Sequence, residues 1–183
     1  MATASCLTNK VDVSTIPDRY RYGWGMSETT WLDEREERAW RALQFMQMQL
    51  TARLGRELAR ESGLSYPDYV VLVALTDRPD GRMRLFELGY QLGWEKSRTS
   101  HHVNRMAERG LVEKVRCETD RRGWFVDITE LGRAEIEAAA PGHARAVRRH
   151  FVDLLTPRQL ATIGAAAQTV LDALDVAEPA AGN

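Results

Sequence analysis

The chain has 183 residues, 44% hydrophobic and 28% charged, with 25 Lys and Arg against 26 Asp and Glu. That length suits one domain, or one domain with a long dimerisation element, and is enough to bury a core. Arg, Glu or Gln interrupts every apolar run before the roughly 18 residues a spanning helix needs, which excludes a membrane helix. No basic stretch followed by an apolar one opens the chain, and two cysteines, Cys6 and Cys117, cannot make a disulfide framework. A reducing cytoplasm is therefore expected.

Residues 1–26 scatter Thr, Ser, Asn, Asp, Pro and Gly without a period and read as a mobile N-terminal arm. From about 27 to 60 nothing breaks a helix, and Ser27 or Thr30 is placed to cap it. Trp31, Trp40, Leu43, Leu50, Leu54 and Leu58 recur along it at helical steps. Such a helix is roughly 50 Å long, more than one small domain covers, so part of its apolar face is expected to need a second chain. Gly63 ends it. Ser65, Pro67 and Asp68 mark the next start: an N-cap, a first-turn proline and a carboxylate at the third position. That helix runs to about 76, and residues 78–81 form a turn. Leu85, Leu88 and Leu92 mark a short helix stopped by Gly93. Another runs from about 96 to 109, with Val103 and Met106 inward and Gly110 after its end. Residues 111–117 and 124–128 alternate with period two around a charged tip, which makes a hairpin. Thr129 caps a helix reaching about 155, bent or broken at Pro141 and Gly142. Thr156 and Pro157 open a last helix, with Leu160, Ile163, Ala167, Val170 and Leu174 on one face. Residues 178–183 are a frayed tail.

The near-neutral total hides an uneven charge distribution. Residues 1–81 hold 10 basic and 12 acidic side chains, residues 82–125 hold 10 and 6, and residues 126–183 hold 5 and 8. The middle segment is thus net +4 between acidic flanks, and it also carries His101 and His102. One basic patch on an acidic scaffold is how a balanced protein presents a face to DNA.

Helix, helix, short helix, helix, hairpin is the order of a winged helix-turn-helix lobe. The fold class is mainly α with a small β hairpin, the lobe being flanked by long dimerisation helices. The run from Leu85 to Val112, closing on Arg109, Gly110, Leu111 and Val112, resembles the helix-turn-helix core of MarR-type regulators. Asp120, Arg121, Arg122 and Gly123, followed by the run from Ile128 to Arg133, resemble that family's wing and its return into the next helix. The resemblance covers about residues 35–175, and the two motifs at this spacing are specific together. The organisation expected is one domain over 27–177, with dimerisation helices at 27–62 and 129–177 around a winged lobe at 65–128. The resemblance implies a homodimer on a pseudo-palindromic operator in double-stranded DNA, acting as a repressor. In many members a small molecule or an oxidant weakens that binding. The chain departs at Glu95, where a neutral cap is usual, and at His101 and His102, where Arg and an apolar residue are usual.

Candidate DNA contacts follow. Lys96, Ser97, Arg98, Thr99, Ser100 and His101 lie in the first turns of the 96–109 helix, the part that meets base edges in a major groove. Arg98 can pair bidentately with guanine, and Arg105 suits a phosphate or an internal carboxylate. Arg122 at the wing tip suits a narrow A·T minor groove, with Asp120 holding it extended, while Arg121 and Arg116 suit phosphates. His101, facing DNA, would take up a proton on binding. His102, in an apolar residue's place, would instead be a buried neutral ring, and His102→Leu is then expected not to destabilise the fold.

Trp31, Trp40, Tyr66, Tyr69 and Trp94 are candidates to line a pocket for a small aromatic or phenolic effector, with ordinary core packing as the other reading. No metal or cofactor is expected. His143 and His150 stand about 10 Å apart along one helix, and no Cys-x-x-Cys or His-Glu-x-x-His occurs. Cys6 and Cys117 read as incidental rather than redox-active. An enzyme is not expected, since no Gly-x-Ser-x-Gly, Walker loop or dinucleotide fingerprint is present. The alternative is a helical adaptor whose winged helix binds protein. Affinity for duplex DNA that falls steeply with salt separates the two.

Overall fold

The structure is a computed structural model that describes residues 31–117 and 123–177. The expected arm at 1–26, Cys6, the wing-tip residues Asp120, Arg121 and Arg122, and the tail at 178–183 lie outside them. The chain divides into two units at Gln49 and Leu50, within the first helix, α1 (Glu34–Ser62).

In the first unit, α1 starts later than the sequence suggests. Residues 31–33 are not helical. Asp33 is the cap instead: its Oδ1 accepts from the N–H groups of Arg35 and Glu36 at 2.7 and 2.9 Å, and Glu36 Oε2 accepts from the Asp33 N–H at 2.8 Å. That reciprocal pair satisfies amides left over in a first helical turn. Trp40 and Met48 on this stretch are more than half exposed.

The second unit holds the core. α2 (Tyr66–Thr76) begins as read, with Ser65 and Asp68 forming a capping box. A three-residue strand, β1 (Arg82–Arg84), follows and leads into α3 (Leu85–Gln91) and α4 (Lys96–Glu108). β1 escapes sequence reading because three residues are too few to show a period of two. Gly63, Gly93 and Gly110, read as helix stops, have φ of 74°, 61° and 73°, the left-handed region that closes a helix without Cβ strain. β2 (Val112–Arg116) and β3 (Trp124–Ile128) are the expected hairpin, and β3 lies in the middle of an antiparallel sheet of order β1-β3-β2. Lys114 pairs with Val126 and Arg116 with Trp124, while Arg82 pairs with Asp127 across the other edge.

α5 (Glu130–His150) corrects a second expectation, because Pro141 does not break it. The ring removes one backbone donor, but Ile136 and Ala139 before it and Ala146 after it are all buried. Packing on both sides outweighs one lost hydrogen bond. The helix ends at His150 rather than near 155, and a short 3-10 turn covers Val152–Leu154. α6 (Pro157–Ala177) is capped by Thr156, whose hydroxyl accepts from the Gln159 N–H. Its apolar face is left bare, with Val170, Leu171 and Leu174 between 53% and 60% exposed. The core beneath the sheet and helices is built from Leu72, Leu75, Leu88, Val103, Met106 and Val126, all 0% exposed.

Candidate nucleic-acid interface

The short α3 and the longer α4 meet at a close approach. A Cβ on Gly89 of α3 would stand 2.8 Å from Thr99 Oγ1. Thr99 is 1% exposed and its hydroxyl donates to the Glu95 carbonyl at 3.1 Å. Thr99 therefore packs α4 on α3 and is not available to DNA, which corrects its place among the candidate contacts. Lys96, Ser97, Arg98 and His101 are exposed, and Ser100 is half-buried. Ser97, Arg98, His101, His102 and Arg105 line one open groove with Pro67 of α2. The Arg98 guanidinium lies 4.6 Å from the centre of the Trp94 ring, a stacking contact that keeps the side chain on this face.

The hairpin adds cations beside that helix. Lys114 donates to Asn104 Oδ1 of α4 at 2.8 Å, tying β2 to α4. Trp124 lies within 4.8 Å of Lys114 and 5.4 Å of Arg116. Lys114 and Asn104 went unremarked in the sequence, because only the register puts them together.

The floor of this face is a buried polar network. Asp68 is 2% exposed. Its Oδ2 accepts from the Ser65 N–H at 3.0 Å and from Arg109 Nη1 at 2.7 Å. Its Oδ1 lies 3.0 Å from His102 Nε2, close but bent away from a straight hydrogen bond. Burial alone would raise the Asp68 pKa. His102, Arg109 and Ser65 outweigh it and hold the carboxyl well below the usual range. His102 is 6% exposed, so the buried reading of this ring stands. Leucine in its place would leave the Asp68 Oδ1 without the ring nitrogen that faces it, so His102→Leu is now expected to cost stability. Arg105, expected on a phosphate or carboxylate, places Nη2 3.0 Å from His102 Nδ1.

Of the five aromatics read as a pocket, three lie in the second unit. Tyr69 lies 4.4 Å and Tyr66 6.3 Å from the His143 ring. Trp94 meets His102 edge-on at 5.3 Å. Trp31 and Trp40 are exposed in the other unit. A cavity of about 190 Å³ lies between the 57–62 end of α1 and residues 138–146 of α5. Glu57, Glu61, His143 and Arg145 are among its walls. Glu57 is tied to α5 through His150 Nε2 at 2.8 Å and through Arg149. The His150 bond does most to bring the Glu57 pKa down to about 2, with burial opposing and Arg149 adding to it. His143 Nδ1 is buried without a hydrogen-bond partner, and burial lowers the pKa of its ring. Among the described residues no helix is long and apolar enough to cross a membrane, and no cluster of three or more His, Cys, Asp or Glu is arranged to hold a metal.

A helix-turn-helix with an exposed, cationic second helix and an antiparallel hairpin beside it defines a winged helix-turn-helix protein. Residues 62–123 match the sequence model of the MarR family. AbsC, a MarR family transcriptional regulator from Streptomyces coelicolor, is 37% identical, with 80% of this chain and 99% of that one covered and a TM-score of 0.73. Sco3205, a MarR family transcriptional regulator from the same organism solved in complex with DNA, is 33% identical. The match covers 85% of this chain and 96% of that one, at a TM-score of 0.75. The transcriptional regulator PcaV, also from S. coelicolor and solved with its natural ligand, is 24% identical over 80% of this chain and 99% of its own, at a TM-score of 0.61, a likeness of fold alone. Among curated proteins none matches. The chain belongs to the MarR family of transcriptional regulators.

Proposed function

We propose that this chain is a sequence-specific regulator that binds a pseudo-palindromic operator in double-stranded DNA as a homodimer and represses transcription. The observation that carries this reading is the exposed start of α4, where Lys96, Ser97, Arg98 and His101 stand clear of the core beside the cations of β2. Phosphates need cations, and a major groove needs one exposed helix with short polar side chains. Sco3205, at 33% identity, adds support as a relative solved on DNA. The homodimer is supported by the bare apolar face of α6 and by exposed Trp40 and Met48 on α1. Surfaces of that kind are normally covered by a second copy. The wing-tip trio Asp120, Arg121 and Arg122 remains part of the proposal as minor-groove and phosphate contacts, and the protein is placed in the cytoplasm with its DNA.

Release by a small molecule belongs to the same reading. The cavity at α1 and α5 has room for a compact aromatic or phenolic molecule, with His143, whose Nδ1 has no hydrogen-bond partner, in its wall. The direct test is selection of genomic duplexes by the full-length protein, followed by titration of the winner across a salt series. A specific duplex bound with nanomolar Kd, weakening steeply as salt rises, is the expected result. Absence of any salt-dependent, sequence-preferring complex would reject a DNA-binding regulator in favour of a protein-binding adaptor.

A further inference from the structure

His102 has a neighbour facing each ring nitrogen, on opposite sides and from different elements. Nε2 faces the Asp68 carboxylate of α2, and Nδ1 faces Arg105, one turn further along α4. Asp68 is held in its ionised form and a carboxylate only accepts. The proton therefore sits on Nε2. A guanidinium only donates, so Nδ1 must present its lone pair to Arg105. The tautomer is thus set from outside the helix, and it decides whether Arg105 has an anchor. Arg105 is exposed and lines the same groove as Ser97, Arg98 and His101. Among the described residues it has no carboxylate ion pair. The other charged groups at this ring are Arg109, which shares the Asp68 carboxylate, and Arg98, which lies over the Trp94 ring that meets His102 edge-on.

We propose that His102 is a positioning residue for DNA binding. It holds the Arg105 guanidinium in one orientation on the DNA-facing groove, and Asp68 fixes the tautomer that lets it do so. An arginine oriented in advance gives up less freedom when a phosphate arrives, so it binds more tightly than a free one. This inference rests on the DNA-binding reading above.

The test is a double-mutant cycle on the full-length protein, read as operator affinity by fluorescence anisotropy with the selected duplex at fixed salt and pH. His102→Leu and Arg105→Ala should each weaken binding by about tenfold, and the double variant should be no weaker than Arg105→Ala alone. His102→Gln, which supplies an amide donor and a carbonyl acceptor, should stay within about twofold of wild type. Effects that multiply, or His102→Leu weakening binding further in the Arg105→Ala background, would overturn the proposal. A second measurement needs neither DNA nor a variant in the core. Side-chain 15N NMR should show His102 protonated at Nε2, with the Nδ1 resonance moving when exposed Arg105 is changed to alanine. An Nδ1–H ring, or an unmoved resonance, would overturn it as well. If no duplex binds but the NMR result holds, the functional reading has failed while the His102–Arg105 link stands.

Discussion

Asp68→Ala is the most informative single change in the fold. The Asp68 side chain is 3% exposed and serves three places on two helices: the N-cap of α2, the middle of α4 through His102 and its end through Arg109. Removing the carboxylate leaves the neutral His102 Nε2–H buried without its acceptor, which costs roughly 1–3 kcal/mol. Arg109 is 47% exposed and can turn to water, so its share is discounted to well under about 1 kcal/mol. Loss of the reciprocal cap adds about 1 kcal/mol. The expected total is about 3 kcal/mol, or roughly 9 °C in Tm for a chain of this size. Asp68→Asn keeps the shape and one acceptor oxygen and should cost about half as much. Calorimetry at one fixed protein concentration is the assay, since association with a second copy would itself raise Tm. The pH dependence supplies a further check. The folded-state pKa lies below the ordinary value of 3.8, so the stabilisation is complete above that value and drains away as pH falls beneath it. The gap between wild type and Asp68→Asn should therefore narrow below about pH 4. An Asp68→Ala protein within about 1 kcal/mol of wild type, or a gap that does not change with acid, would refute the reasoning.

Other tests address the rest of the molecule. Gly132→Ala would set a Cβ 2.1 Å from the Leu111 carbonyl oxygen and 3.0 Å from Ile128 Cγ1. Backbone cannot step aside there, so urea titration should show a loss of at least about 2 kcal/mol, and a neutral result would mean that α5 sits further from the hairpin. Glu57, with its pKa lowered from 4.5 to about 2, contributes stability above the first value that is lost as pH falls toward the second. Unfolding midpoints measured between pH 5 and pH 2 should fall for wild type and stay flatter for Glu57→Gln; parallel curves would deny the ion pairs a role. Leu174→Glu puts a charge on the bare face of α6 and should weaken self-association by at least about tenfold in sedimentation equilibrium, and an unchanged dimer would move the interface elsewhere.

Much of the lobe was legible from local signals. The Ser65–Asp68 box, the stops at Gly63, Gly93 and Gly110, and the Thr129 cap each act within a few residues, so the chain alone states them. The positive segment at 82–125 pointed to the face that carries the exposed cations of α4. Local signals were weaker where tertiary packing decides. Pro141 is a helix breaker in isolation, yet buried residues on both sides carry α5 through it. Thr99 has the polarity of a DNA contact, but the bare backbone of Gly89 draws it into the core. β1 exists because β3 offers it an edge, not because three residues prefer a strand. The Asp68–His102–Arg105 chain joins side chains 34 and 3 positions apart. Only the family resemblance marks His102 as a histidine in an apolar residue's place. Which nitrogen faces which neighbour depends on how α2 and α4 cross, and a burial that leaves a ring only two partners is a property of the folded chain.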